Sequence, residues 1–162
     1  MIHAVTFDFW DTLFVDDSDE PKRAAAGLPT KVEARAQALV AELRAHHAHL
    51  TAEEIRGAWD GANAWARHQW KALHHNPTVS VRVQVAYREL GLRPTPGFGA
   101  LVHLIETMER EVSPDPIAGV HDALSKLEGR VRLGIISDAI VSPGRTLRGI
   151  LADHDLLHFF DF

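Results

Sequence analysis

The chain has 162 residues, 46% hydrophobic and 24% charged, with a formal net charge of −5. That much apolar side chain excludes global disorder, and no apolar run approaches the roughly 20 residues that cross a bilayer. The acidic balance excludes a basic nucleic-acid-coating surface, and the lack of cysteine excludes disulfides, thiolate metal sites and cysteine nucleophiles.

The first segment, Ile2 to Phe9, is β-rich and mostly apolar on both faces, the pattern of a buried strand in a parallel sheet. It has no basic region ahead of it, so it is not a signal peptide, and the expectation is a cytoplasmic protein. Trp10-Asp11-Thr12-Leu13 follows, then the acidic run Asp16 to Glu20, which reads as a solvated loop. Lys22 to Pro29 contains Ala, Gly and Pro and reads as a linker or a mobile loop.

Four helices are predicted next. Thr30 with Glu33 forms a capping-box pattern ahead of Val32, Ala36, Leu39, Val40 and Leu43 at helical spacing. Thr51 with Glu54 opens a second helix, whose stripe runs through Ile55, Trp59, Ala62, Ala66, Trp70 and Leu73 and ends near His74 to Pro77. A third spans about Val79 to Leu90, stopped by Gly91, and a fourth starts with Thr95 as N-cap and Pro96 at N1 and runs to about Glu111.

Ser113-Pro114-Asp115-Pro116 breaks the chain. A helix over about Ile117 to Leu127, a strand Val131 to Ile136 ending in Ser137-Asp138, and a helix through Leu151 come next. His158 to Phe162 has the pattern of a third strand's start. The fold class is therefore α/β, a partial doubly wound parallel (Rossmann-like) core with an inserted helical block. The core takes residues 1–15 and 113–162, and the helical block 16–112.

Two strand ends carry the chemistry. Open α/β sheets bind ligands at the carboxyl ends of their strands. A carboxylate there, Asp8, followed by a tight loop, can be a nucleophile beside an anion cradle of backbone N–H groups. Ser137, at the same end of the second strand, can hydrogen-bond an oxygen of a bound anion. Plainer roles stand beside these: Asp8 as a turn cap, Ser137 as a turn residue, Asp11 as a residue that shapes the loop. Trp59 and Trp70 fit core packing better than a substrate pocket, and the histidines near helix ends, such as His46, His47, His74 and His75, fit solvated termini better than a metal site.

Phe7-Asp8-Phe9-Trp10-Asp11-Thr12-Leu13 and Ile135-Ile136-Ser137 resemble the first and second motifs of the haloacid dehalogenase-like (HAD) hydrolase superfamily. The intervening helices look like that family's C1 cap, and the run Pro114 to Val120 resembles its return into the core. The resemblance implies that Asp8 attacks the substrate to form a covalent aspartyl intermediate, with Ser137 and the backbone around Trp10 and Asp11 holding the transferring group. Thr12 and Asp138 belong to the substrate side of that site. In magnesium-dependent members, Asp8 and the backbone carbonyl of Trp10 would contact Mg²⁺; a dehalogenase would need no cofactor. The substrate class is a small phosphorylated or 2-halogenated metabolite, with no nucleic-acid or membrane partner.

This sequence departs from the family pattern in three places. Trp10 stands where phosphatases of the family carry an acidic general acid/base, and indole cannot protonate a leaving alkoxide. A halide leaves without a proton, so dehalogenation tolerates this change. Asp138 stands where Asn is common. The family's lysine and late acidic motifs follow the third strand, beyond Phe162, so the sequence reads as truncated and weak or inactive by itself. The competing expectation is a catalytically incomplete protein that binds or dimerises through an open strand edge bearing Phe159, Phe160 and Phe162.

Overall fold

A computed structural model describes residues 2–161. In chain order the elements are β1 (Ala4–Phe7), α1 (Asp19–Ala25), α2 (Lys31–His46), α3 (Ala52–Leu73), α4 (Val79–Glu89), α5 (Phe98–Thr107), α6 (Val120–Leu127), β2 (Arg132–Ile135) and α7 (Gly144–Asp153). Short 3₁₀ turns cover Met108–Arg110 and Leu157–Phe159. Two compact units emerge, Met1–Leu28 with Glu109–Phe162, and Pro29–Met108. The division thus falls at Pro29 and Glu109, not at 16 and 113.

The shift at the first boundary has a local cause. Residues 22–29 do not form a plain linker, because most of α1 lies there. Asp19 and Glu20 occupy the first turn, where carboxylates favour the helix dipole, and Pro21 sits where its missing N–H is harmless. Arg23 is buried and pairs with Glu111 at 3.0 Å, while the Lys22 ammonium donates to the Ser113 carbonyl and to Asp115, both at 2.7 Å. Within the acidic run, Asp16 and Asp17 are exposed, but Asp19 is fully buried and so is not part of a solvated loop.

In the α/β unit, β1 and β2 pair in parallel, with Val5 opposite Leu133 and Phe7 opposite Ile135. Val5, Phe7, Leu133 and Ile135 share the face that packs on Val120 and Leu124 of α6 and on Leu147, Ile150 and Leu151 of α7. Ala4 and Thr6 face the other way and are exposed. β1 is therefore covered on one face, not on both as its composition suggests. Of the expected third strand's start, His158 and Phe159 lie instead in a 3₁₀ turn, and among the described residues Asp161 reaches β2. There its amide donates to the Leu133 carbonyl and its carboxylate accepts from the Leu133 amide, both at 2.8 Å. Phe159 is buried in the core and Phe160 packs against it, so neither forms an exposed edge patch; Phe162 lies outside the described residues. α6 begins at Val120, later than Ile117, because Gly119 takes a left-handed φ of 83° as N-cap.

The helical unit follows its caps. The Thr30 and Thr51 hydroxyls accept from the Glu33 and Glu54 amides at 3.2 Å each. Only Thr51 completes a reciprocal box. The Glu33 carboxylate turns instead to Arg56 and Gln37, and the Arg56 guanidinium holds its pKa down to about 2. Val32 is 73% exposed, off the buried stripe of Ala36, Leu39 and Leu43. Trp59 is buried, as core packing requires.

Thr95 does not cap the fourth helix; Gly97 does. The Thr95 hydroxyl is used elsewhere, donating to Glu42 at 2.6 Å and lying 2.7 Å from the Tyr87 hydroxyl. Burial pushes the Tyr87 phenol up. A side chain at Gly97 would overlap the Glu42 carboxylate, so this glycine leaves room for the network. Gly97→Ala is expected to lower the thermal midpoint by displacing Glu42, with a loss of about 1–2 kcal/mol. In the Glu42→Ala background the same change should cost much less, and calorimetry of the four proteins measures that coupling.

Candidate active site

The site is built by the parallel pairing. The Ile136 amide donates to the Phe7 carbonyl at 2.9 Å, which extends the β1–β2 ladder one step past the strands. Asp8 follows that last rung on one side, and Ser137 follows it on the other. Both therefore stand at the carboxyl end of the sheet, where open α/β folds bind ligands.

Asp8 is exposed, and its Oδ1 accepts the Phe9 amide at 2.7 Å. The alternation of side chains puts it on the face opposite Phe7, away from the apolar core. The Ser137 side chain is partly covered, and its Oγ is shielded from solvent with no hydrogen-bond partner. A buried hydroxyl left unpaired costs about 1–3 kcal/mol, which an acceptor oxygen on a ligand would recover. Ser137 also lines a cavity of about 410 Å³ with Ile135, Pro143, Arg148, Leu151 and Phe160, and Asp8 is not part of its wall.

The loop after Asp8 is tightly fixed. The Phe9 carbonyl accepts from the Leu13 amide at 2.9 Å and from the Phe14 amide at 3.1 Å. Asp11 sits at a left-handed φ of 53°, with its amide donating to the Phe14 carbonyl at 2.7 Å. Its carboxylate accepts from the Asp16 amide at 3.1 Å. Both polar groups of Asp11 thus shape the loop, and its amide is engaged there. Trp10 is half-buried, with its ring edge-on to Phe9 at 4.8 Å. Thr12 and Asp138 are exposed, and Leu13 is buried in the core.

Two features lay outside sequence reasoning. Residues 13–15 zip against the return segment: the Val15 amide donates to the Asp115 carbonyl and the Ile117 amide to the Leu13 carbonyl, each at 2.9 Å. The proline-rich run Pro114 to Ile117 thereby clamps the loop that follows Asp8. Secondly, Glu109 accepts a hydrogen bond from the Ser142 hydroxyl, with both residues buried. Among the described residues no three His, Asp or Glu side chains converge on a metal position, and no helix is long and apolar enough to cross a membrane.

No protein-family model matches the chain, and no curated protein matches it. Among solved structures it is similar to L-2-haloacid dehalogenase from Xanthobacter autotrophicus, at 17% identity and a TM-score of 0.42. The form of that enzyme with chloropropionic acid covalently bound gives the same values. The match covers 99% of this chain, which spans 55% of the dehalogenase's length.

The loop geometry sets an expectation for Asp11. Asn keeps both the left-handed preference and an acceptor oxygen, whereas Ala has neither. Asp11→Ala should therefore lose about 1–2 kcal/mol and Asp11→Asn less than half of that. Urea unfolding of the two variants beside the parent measures the difference.

Proposed function

We propose that this chain carries the nucleophile side of a HAD-like hydrolase that acts on a small phosphorylated or 2-halogenated metabolite. One observation carries this reading: an exposed carboxylate, Asp8, and a shielded, unpartnered hydroxyl, Ser137, at neighbouring ends of paired parallel strands. Asp8 would attack the electrophilic carbon or phosphorus, forming an oxygen bond as the leaving group departs with its electron pair. Water would then cleave the aspartyl ester or acyl phosphate and restore the carboxylate. Ser137 would donate its hydrogen bond to an oxygen of the bound anion throughout.

Trp10 favours leaving groups that need no proton, with halide foremost, because indole is no acid at useful pH. The fixed loop would present its backbone at Trp10 and Thr12 to the substrate anion, with Asp11 shaping the loop and Asp138 on the facing side. For a phosphorylated substrate the donors present are oxygens, the Asp8 carboxylate and the Trp10 carbonyl, which suit Mg²⁺ when waters and substrate phosphate complete its shell. When bound, the ion would offset the charge of the phosphate.

The test is an assay at high protein concentration against phosphoesters with Mg²⁺ and against 2-haloacids with and without a chelator. Asp8→Asn should remove about 10³-fold or more of whatever activity is found, and Ser137→Ala about 10²-fold. Activity that survives Asp8→Asn undiminished would overturn the nucleophile assignment.

A further inference from the structure

The loop that carries Ser137 runs from Ile136 to Pro143 and is unevenly buried, with Ala139 packed against the core. Ile136 is 70% exposed and Ile140 is 38% exposed. Its far end is held differently. Ser142 is 3% exposed, and its hydroxyl donates to the carboxylate of Glu109, itself 8% exposed. Glu109 opens the segment by which the chain re-enters the α/β unit.

That segment is anchored along α7 by its own contacts. The Arg110 guanidinium grips Asp153 with two hydrogen bonds, at 3.0 and 2.9 Å, and the pairing raises its pKa. Gly149 lies flat beneath it, where a Cβ would come within 2.7 Å of the guanidinium. Ser113 Oγ lies 2.9 Å from His154 Nε2. Glu109 therefore projects from a fixed backbone into the loop that positions Ser137.

We propose that Glu109 is a positioning residue: through Ser142 it sets the loop that aims the Ser137 hydroxyl at a bound anion. This rests on the hydrolase reading for its consequence, but the physical coupling can be tested without it. The contact that links Glu109 to this loop is the hydrogen bond from the Ser142 hydroxyl. An amide at position 109 keeps an acceptor oxygen, so Glu109→Gln should preserve the coupling, whereas Glu109→Ala and Ser142→Ala should each abolish it.

The experiment is native-state hydrogen exchange on the full chain, read at the amides of residues 137–142, with phosphate affinity as a second readout. Glu109→Ala should speed exchange in this loop about five- to tenfold, the effect of losing one hydrogen bond, and weaken phosphate binding about tenfold. Glu109→Gln should stay within about twofold of the parent in both, a margin well inside that expected for the lost bond. Arg56→Ala, which removes the ion pair with Glu33 in the helical unit, is the control: it should leave loop exchange unchanged. If Glu109→Ala does not fold, Ser142→Ala gives the same test from the other end of the bond. The proposal is overturned if loop exchange rises equally in Arg56→Ala, if Glu109→Gln behaves like Glu109→Ala, or if neither alanine variant changes it. If the parent binds no phosphate, the hydrolase reading loses its anion site, while the exchange contrast still decides the role of Glu109.

Discussion

The parallel pairing of β1 with β2 is the constraint on which the site depends. Phe7 opposite Ile135 fixes which residues come next on each strand, and so brings Asp8 and Ser137 to one end of the sheet. A slip of one residue would turn every inward side chain of β1 outward, taking Val5 and Phe7 from the core. The apolar face of the sheet thus enforces the register, and the register places the two polar groups. A two-stranded sheet has little stability of its own. Here α6 and α7 supply it, through Leu124, Leu147, Ile150 and Leu151.

Around that pairing, polar contacts between distant segments hold the loops. The Asp8 loop is closed by the Phe9 carbonyl and clamped by Asp115 and Ile117 from the return segment. The Ser137 loop is held from the same segment, four residues before Ser113, by Glu109. One stretch of chain, Glu109 to Ile117, therefore touches both loops that follow the strand ends. Arg23 and Lys22 of α1 tie into it as well, at Glu111, Ser113 and Asp115.

Local signals in the sequence located much of this. Apolar runs ending in Asp8 and Ser137 marked the strand ends, and the threonine caps at Thr30 and Thr51 marked two helix starts, because both signals act within a few residues. What escaped was set at long range. Thr95 has the pattern of an N-cap, yet Glu42, 53 residues away, and Tyr87 claim its hydroxyl. Glu109 and Ser142 are 33 residues apart, and neither stands in a motif. α1 was locally legible in Asp19-Glu20-Pro21, but the alanines, glycine and proline after it suggested a linker. The exposed face of β1 escaped because Ala and Thr suit either environment.

We propose that Asp8 and Ser137 form one anion site across the paired strand ends. The most direct measurement is a phosphate titration followed by amide NMR over the whole chain. One site predicts that the signals of Asp8 to Thr12 and of Ser137 and Asp138 move together with a single dissociation constant, and that Ser137→Ala weakens both sets of shifts equally. Movement in one segment alone, or in each with its own constant, would contradict it.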